Sequence, residues 1–144
     1  MKKKVLLMAF LCVCFLTCGL QAQINVSGLL VENMSNPDGI AVKQPHFSWR
    51  ITSQKQALVQ TSYRIQVSAS SEKFSDSSNL LWDSGDVKSD QSLFIPYYGK
   101  AIKSCSSYYW RVKISTNHGK STWSKLAYFL THQSGRPCGL DVTV

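Results

Sequence analysis

The chain has 144 residues, 44% of them hydrophobic, and carries 16 lysines and arginines against 8 acidic residues for a net charge of +8. That length holds one domain of ordinary size and is too short for two. From Lys43 to Lys125 the lysines stand singly. A phosphate backbone calls for a clustered basic face, so nucleic acid is not among the expected partners.

Residues 1–22 differ from the rest. Lys2, Lys3 and Lys4 precede an apolar run from Val5 to Leu20, and the small residue Ala22 follows. This is the layout of a secretory signal peptide cleaved after Ala22, and the run falls short of the ~20 apolar residues that a spanning helix needs. Cys18 follows Leu16 and Thr17, a poor match to the small residues that precede a lipidated cysteine. The expected location is periplasmic or extracellular, without membrane association once the signal is removed. Cleavage takes the basic count from 16 to 13 against 8 acids. It also removes Cys12, Cys14 and Cys18, leaving Cys105 and Cys138. Two cysteines do not make a disulfide scaffold, and the sequence leaves their pairing open.

From Val26 onward the hydrophobic period is two. "PHFSWRI" alternates Phe47, Trp49 and Ile51 with His46, Ser48 and Arg50, the pattern of a strand with one buried face. "SYRIQVSAS" sets Tyr63, Ile65, Val67 and Ala69 against Arg64, Gln66 and Ser68. "LLWDSGDV" and "SLFIPY" read as shorter strands, and "SSEKFSDSSN" between the longer ones has room for one irregular turn. Reversals are marked at "NPDG", "DSG" and "NHG", where asparagine and glycine supply positive φ. With Val26–Val31 as the first strand and "WSKLAYFL" as the last, the count is about seven. That number fits an all-β fold: a single antiparallel β-sandwich of the immunoglobulin or fibronectin type III kind over residues 23–131.

In the sixth strand, "SSYYWRVKIS", Tyr108, Trp110, Val112 and Ile114 share one face. With Trp49 and Tyr63 they form the expected core, because inward aromatics of this size each remove roughly 150–250 Å² from water. Tyr108 also suits the tyrosine corner, in which a hydroxyl bonds back to the chain a few residues upstream. Tyr109, Arg111 and Lys113 take the outer face. Trp123, from "STWS", is placed to stack on the cations. Two roles are open for Tyr109, Arg111 and Trp123: a structural clamp between the last two strands, or a platform on which a sugar ring lies.

No catalytic pair is apparent. Glu32 and Glu72 fall in different elements, Asp83 and Asp86 share a turn, and His46, His118 and His132 are scattered. A glycosidase needs two carboxyl groups at a set separation across a cleft. Cys105, Cys138 and His132 lack zinc-site spacing, and there is no glycine-rich phosphate loop. Neither a metal nor a cofactor is expected.

The ordered series "NPDGIAVKQPHFSWRI", "QTSYRIQVSASS", "LWDSGDVKSDQS" and "IPYYGKAIKSCSSYYWRVKISTNHGKSTWS" resembles the N-terminal fibronectin type III-like module of bacterial α-L-rhamnosidases. The likeness runs from about Leu29 to about Phe129. It implies a module of a secreted, rhamnose-releasing glycoside hydrolase whose acid and base lie in a barrel domain farther along, so no catalytic residue transfers to this chain. Past Phe129 the sequence departs from the family pattern, and residues 132–144 read as a divergent, disordered tail of a truncated fragment. The resemblance makes the downstream domains of the parent enzyme the partners. The alternative is a self-standing exported carbohydrate-binding or adhesion module that presents Tyr109 and Trp123 to rhamnose-containing glycans.

Overall fold

The computed structural model describes residues 23–133. The segment read as a signal peptide, residues 1–22, and residues 134–144 of the expected tail lie outside the described residues. Nine strands follow in chain order: β1 (Asn25–Val31), β2 (His46–Thr52), β3 (Gln60–Ser68), β4 (Leu80–Asp83), β5 (Val87–Lys88), β6 (Ile95–Pro96), β7 (Ser107–Thr116), β8 (Gly119–Lys120) and β9 (Ala127–Leu130). They form a three-stranded sheet in the order β1-β2-β6 and a six-stranded sheet built on β4-β3-β7-β8. In the larger sheet β5 also pairs with β3, and β9 with β7. The nine segments therefore occupy seven ladder positions, since β4 and β5 share one flank of the β3–β7 pair and β8 and β9 the other. All the strand pairings are antiparallel.

The spine of the larger sheet is the β3–β7 pair, which runs from Gln60 opposite Thr116 to Ser68 opposite Tyr109 with one register shift between Gln60 and Ser62. Along β7 the residues alternate buried with half-exposed, as period two requires of a strand with one face on a core. Trp110 and Val112 are fully buried and Ile114 nearly so. The smaller sheet contributes Phe47, whose ring centroid lies 4.6 Å from that of Trp110 and 6.1 Å from that of Phe129. Trp49 meets Tyr63 edge to face at 5.2 Å, a favoured aromatic geometry. Trp49, Tyr63, Tyr108 and Trp110 all belong to this single core.

The two buried indoles are treated differently. Trp49 donates Nε1–H to Gln60 Oε1 at 3.0 Å. Among the described residues Trp110 Nε1 has no acceptor, so its packing against Phe47 offsets the cost of an unmet donor, on the order of 1–3 kcal/mol.

Two glycines are required by space or backbone. At Gly28, φ is +58° and the β1–β2 register slips between Ser27 and Leu30. This is a bulge that a side chain would strain. A Cβ on Gly99 would lie 2.4 Å from the Tyr97 hydroxyl and 2.5 Å from Trp82 Cβ. The chain crosses between the sheets there only because that side chain is missing.

Three polar residues that alternation puts on the outside are buried. Ser48 is covered by the segment before β6, where its Oγ accepts from the Phe94 N–H at 3.0 Å. Gln66 is held between the side chains of Arg111 and Asp83. Ser68 closes the end of β3 by accepting from the Ser70 N–H at 3.1 Å. Ala69, assigned by alternation to the inner face, lies past the strand end and is exposed. Cover from other elements decides burial in each case, and a local period does not register it.

Candidate functional site

The outer face of the larger sheet carries most of the polar side chains that the sequence singles out. Arg111 on β7 stands opposite Gln66 on β3, which stands opposite Asp83 on β4. These cross-strand pairs share a face. Arg111 donates Nε–H and Nη2–H to Gln66 Oε1 at 3.0 and 2.8 Å. Gln66 donates Nε2–H to Asp83 Oδ2 at 2.9 Å. Asp83 also receives both donors of Arg64, at 2.8 and 2.7 Å, and the Gly85 N–H at 3.0 Å. The Arg64 bonds hold the Asp83 carboxyl down to about 2, with Gln66 and Gly85 adding to the effect and partial burial opposing it.

Above this row lies an aromatic clamp. The Arg111 guanidinium carbon is 4.3 Å from the centroid of the Trp123 ring and 4.7 Å from that of Phe74, and Lys113 Nζ is 4.9 Å from that of Trp123. Arg111 also donates to the Phe74 carbonyl at 3.2 Å. Burial lowers the Arg111 pKa from its ordinary value, and the Asp83 charge opposes that shift. The guanidinium is thus held between two rings above and an amide oxygen beside it, which uses its planar fork fully. Tyr109, two residues back along β7, is half-buried and lies opposite Tyr128 in the β7–β9 register. The structure brings Arg111 and Trp123 into direct contact, and it places Tyr109 on the neighbouring pair.

Trp123 reaches this position because the last strand is interrupted. Between β8 and β9, Ser121 N–H donates to Ile114 O at 2.9 Å while its Oγ accepts from the Ile114 N–H at 2.9 Å. Ser124 repeats the device with Val112, at 2.8 and 3.1 Å. Each serine hydroxyl stands where a strand carbonyl would, so the β7 ladder stays satisfied while the segment 121–124 bows outward with Trp123 at its crest.

At the far end of β7 the Tyr108 hydroxyl accepts from the Lys103 N–H at 2.8 Å. Thr131 Oγ1 ties the same loop to the last strand, donating to Lys103 O at 2.6 Å and accepting from the Ser106 N–H at 3.0 Å. Cys105, in this loop, is disulfide-bonded. It is the one cysteine among residues 23–133, so the pairing question reaches outside the described residues.

Among the described residues the carboxylates and histidines form no cluster of three or more with a cysteine or with one another. Glu32 Oε1 receives both the N–H and Nδ1 of His46, at 2.7 and 2.9 Å. His118 is exposed in the β7–β8 turn, and His132 donates its backbone N–H to Ile40 O at 2.8 Å. Glu72 is exposed, and Asp83 is engaged by Arg64.

Residues 26–132 match the family model described as the Rha78A-like, N-terminal immunoglobulin domain. The chain belongs to that family. As such a domain it is 34% identical over 111 residues to an α-L-rhamnosidase of Formosa agariphila, covering 76% of this chain and 12% of that enzyme. It is 31% identical over 113 residues to an α-L-rhamnosidase of Streptomyces avermitilis, covering 78% of this chain and 11% of that one. Among solved structures, the Streptomyces avermitilis α-L-rhamnosidase complexed with L-rhamnose superposes with a TM-score of 0.71 at 31% identity, over 76% of this chain and 10% of that one. An α-L-rhamnosidase from Dictyoglumus thermophilum gives 0.70 at 32% identity, over 75% and 12%. The immunoglobulin domain therefore spans about an eighth or less of the relatives it matches.

The quoted motifs acquire physical meaning in this domain. Tyr-Arg-Ile-Gln-Val, Trp-Asp-Ser-Gly, Tyr-Trp-Arg-Val and Trp-Ser supply Arg64, Gln66, Asp83, Arg111 and Trp123, the members of one network. Reading the sequence alone finds Arg111 with Trp123 and misses Gln66, Asp83, Ser121 and Ser124. The missed signal is polar residues recurring at alternate positions on strands that must lie side by side.

Proposed function

We propose that this chain is the noncatalytic N-terminal β-sandwich module of an exported α-L-rhamnosidase. It serves as a scaffold that packs on other domains of that enzyme, and those domains carry the acid and base. The observation that carries the reading is the state of the outer-face side chains. Arg111, Gln66, Asp83 and Arg64 spend their donors and acceptors on one another, and the Trp123 ring is covered by Arg111 and Lys113. A sugar platform needs a bare ring beside unspent donors, and a glycosidase needs two carboxyl groups across a cleft. Export rests on the segment 1–22, and periplasmic or extracellular placement follows from it.

The test measures rhamnose release from an aryl α-L-rhamnoside by residues 23–144 and by the secreted protein that carries this module. The reading predicts turnover by the second alone, with a mature N-terminus at Gln23. Turnover by residues 23–144 would overturn it.

A further inference from the structure

Between β5 and β6 the backbone holds a strained conformation that leaves two apolar side chains on the surface. Phe94 has a φ of +53°, in the left-handed region where a bulky L-residue is strained. Strain of this kind persists only where the surroundings impose it, and it gathers at functional sites. Yet the Phe94 side chain gains little burial in return: the residue is 53% exposed, and Leu93 beside it 57%.

Buried polar groups impose the conformation. Ser48 Oγ accepts from the Phe94 N–H, and the Ser92 carbonyl accepts from the Trp49 N–H, both at 3.0 Å. Gln60, itself buried, donates Nε2–H to the carbonyls of Ser89 and Gln91 at 3.1 and 2.8 Å. Gln91 donates in turn to the Leu93 carbonyl at 3.0 Å. Two apolar side chains are thus presented to solvent on a fixed backbone, which lowers the ordering cost of a later contact.

The position of this feature indicates what covers it. The Phe94 ring packs edge-on against His46, at the start of β2. The segment 40–46 leads from His46 back to Ile40, where His132 is bonded at the end of the described chain. Six extended residues span at most about 20 Å. In the matched relatives this domain is 10–12% of the polypeptide, so a following domain is tethered at this end at high effective concentration. Val42, in the same segment and 40% exposed, lines a cleft of about 110 Å³ with Ile102, Lys43, Lys103 and His132.

We infer that Val42, Leu93 and Phe94 form the docking face for the domain that follows this module in a full-length rhamnosidase. This inference rests on the module reading above. Its occupant is an apolar shelf of that domain, with carboxylates facing Lys43 and Lys103.

The test compares amide hydrogen exchange in residues 23–144 and in the full-length enzyme carrying them, each as wild type and as Phe94→Gly. Exchange at residues 91–96 is expected to be at least ~10-fold slower in the full-length enzyme, because docking adds to local protection. Phe94→Gly is expected to abolish that difference without lowering the Tm of residues 23–144, since glycine adopts positive φ freely. Equal exchange in the two wild-type proteins would overturn the docking face and leave the module reading standing. A clear fall in Tm of residues 23–144 on Phe94→Gly would also overturn it, by showing that Phe94 serves the module's own fold. A native protein whose intact mass corresponds to residue 144 as its last would overturn the module reading itself.

Discussion

The Arg111 guanidinium sits 4.3 Å from the centre of the Trp123 ring while two of its nitrogens bond the Gln66 amide oxygen. One side chain thereby joins β3, β7 and the bowed segment 121–124. A double-mutant cycle on Arg111→Ala and Trp123→Ala, followed by urea denaturation of residues 23–144, is expected to give a coupling of about 0.5–2 kcal/mol. Arg111→Lys keeps the charge and loses the fork, and a cost of about 1–3 kcal/mol is expected.

The serine hydroxyls of the last strand predict an effect that a surface substitution would not have. Ser124→Ala removes the acceptor of the Val112 N–H and Ser121→Ala that of the Ile114 N–H. Each is expected to lower stability by about 1–3 kcal/mol, the cost of a donor left unmet beside a core. Thr at either site keeps the hydroxyl and should recover most of that loss. Urea midpoints at constant m-value are the measurement.

Asp83 sets the acid limit. Its carboxyl is held at about 2, below the usual 3.8, by Arg64 first and then by Gln66 and Gly85. The unfolded chain binds this proton at a higher pH than the native state does. The stabilisation is therefore complete above about pH 5 and is lost as pH falls through the folded value. Stability measured from pH 5 to pH 2 should fall in the wild type, and the fall should be shallower in Asp83→Asn.

Tyr97 sets the alkaline limit with the opposite sign. Burial, with the nearby Tyr108 adding, pushes its hydroxyl up to about 12, and the hydroxyl donates to Lys100 O at 2.8 Å. Above pH 10 the unfolded chain releases a proton that the native state keeps, so stability falls between about pH 10 and pH 12. Tyr97→Phe is expected to be less stable at neutral pH and to lose part of that alkaline slope. Unfolding followed by tryptophan fluorescence across this range checks both.

Much of the fold is legible in the sequence because a strand's period is local. Phe47, Trp49, Tyr63, Tyr108 and Trp110 declare their faces from neighbours two residues away, and Asn36, Gly85 and Gly119 mark reversals by the positive φ they adopt. What is hidden is non-local. Gln66 looks exposed until Arg111 and Asp83, from two other strands, close over it. Trp123 looks like a strand residue until Ser121 and Ser124 supply the hydroxyls that let it bow outward. The strain at Phe94 depends on Ser48 and Gln60, 46 and 34 positions away in the chain, and no pattern in its own segment announces it.

The role proposed for the Arg111–Trp123 face is that of a structural clamp and not a sugar platform. Isothermal titration of residues 23–144 with L-rhamnose and with a rhamnose-rich oligosaccharide, run beside urea denaturation on wild type and Trp123→Ala, tests it most directly. No saturable heat is expected from folded wild-type protein, and a lowered urea midpoint is expected in the variant. Saturable binding that disappears in Trp123→Ala while its midpoint stays at the wild-type value would contradict it.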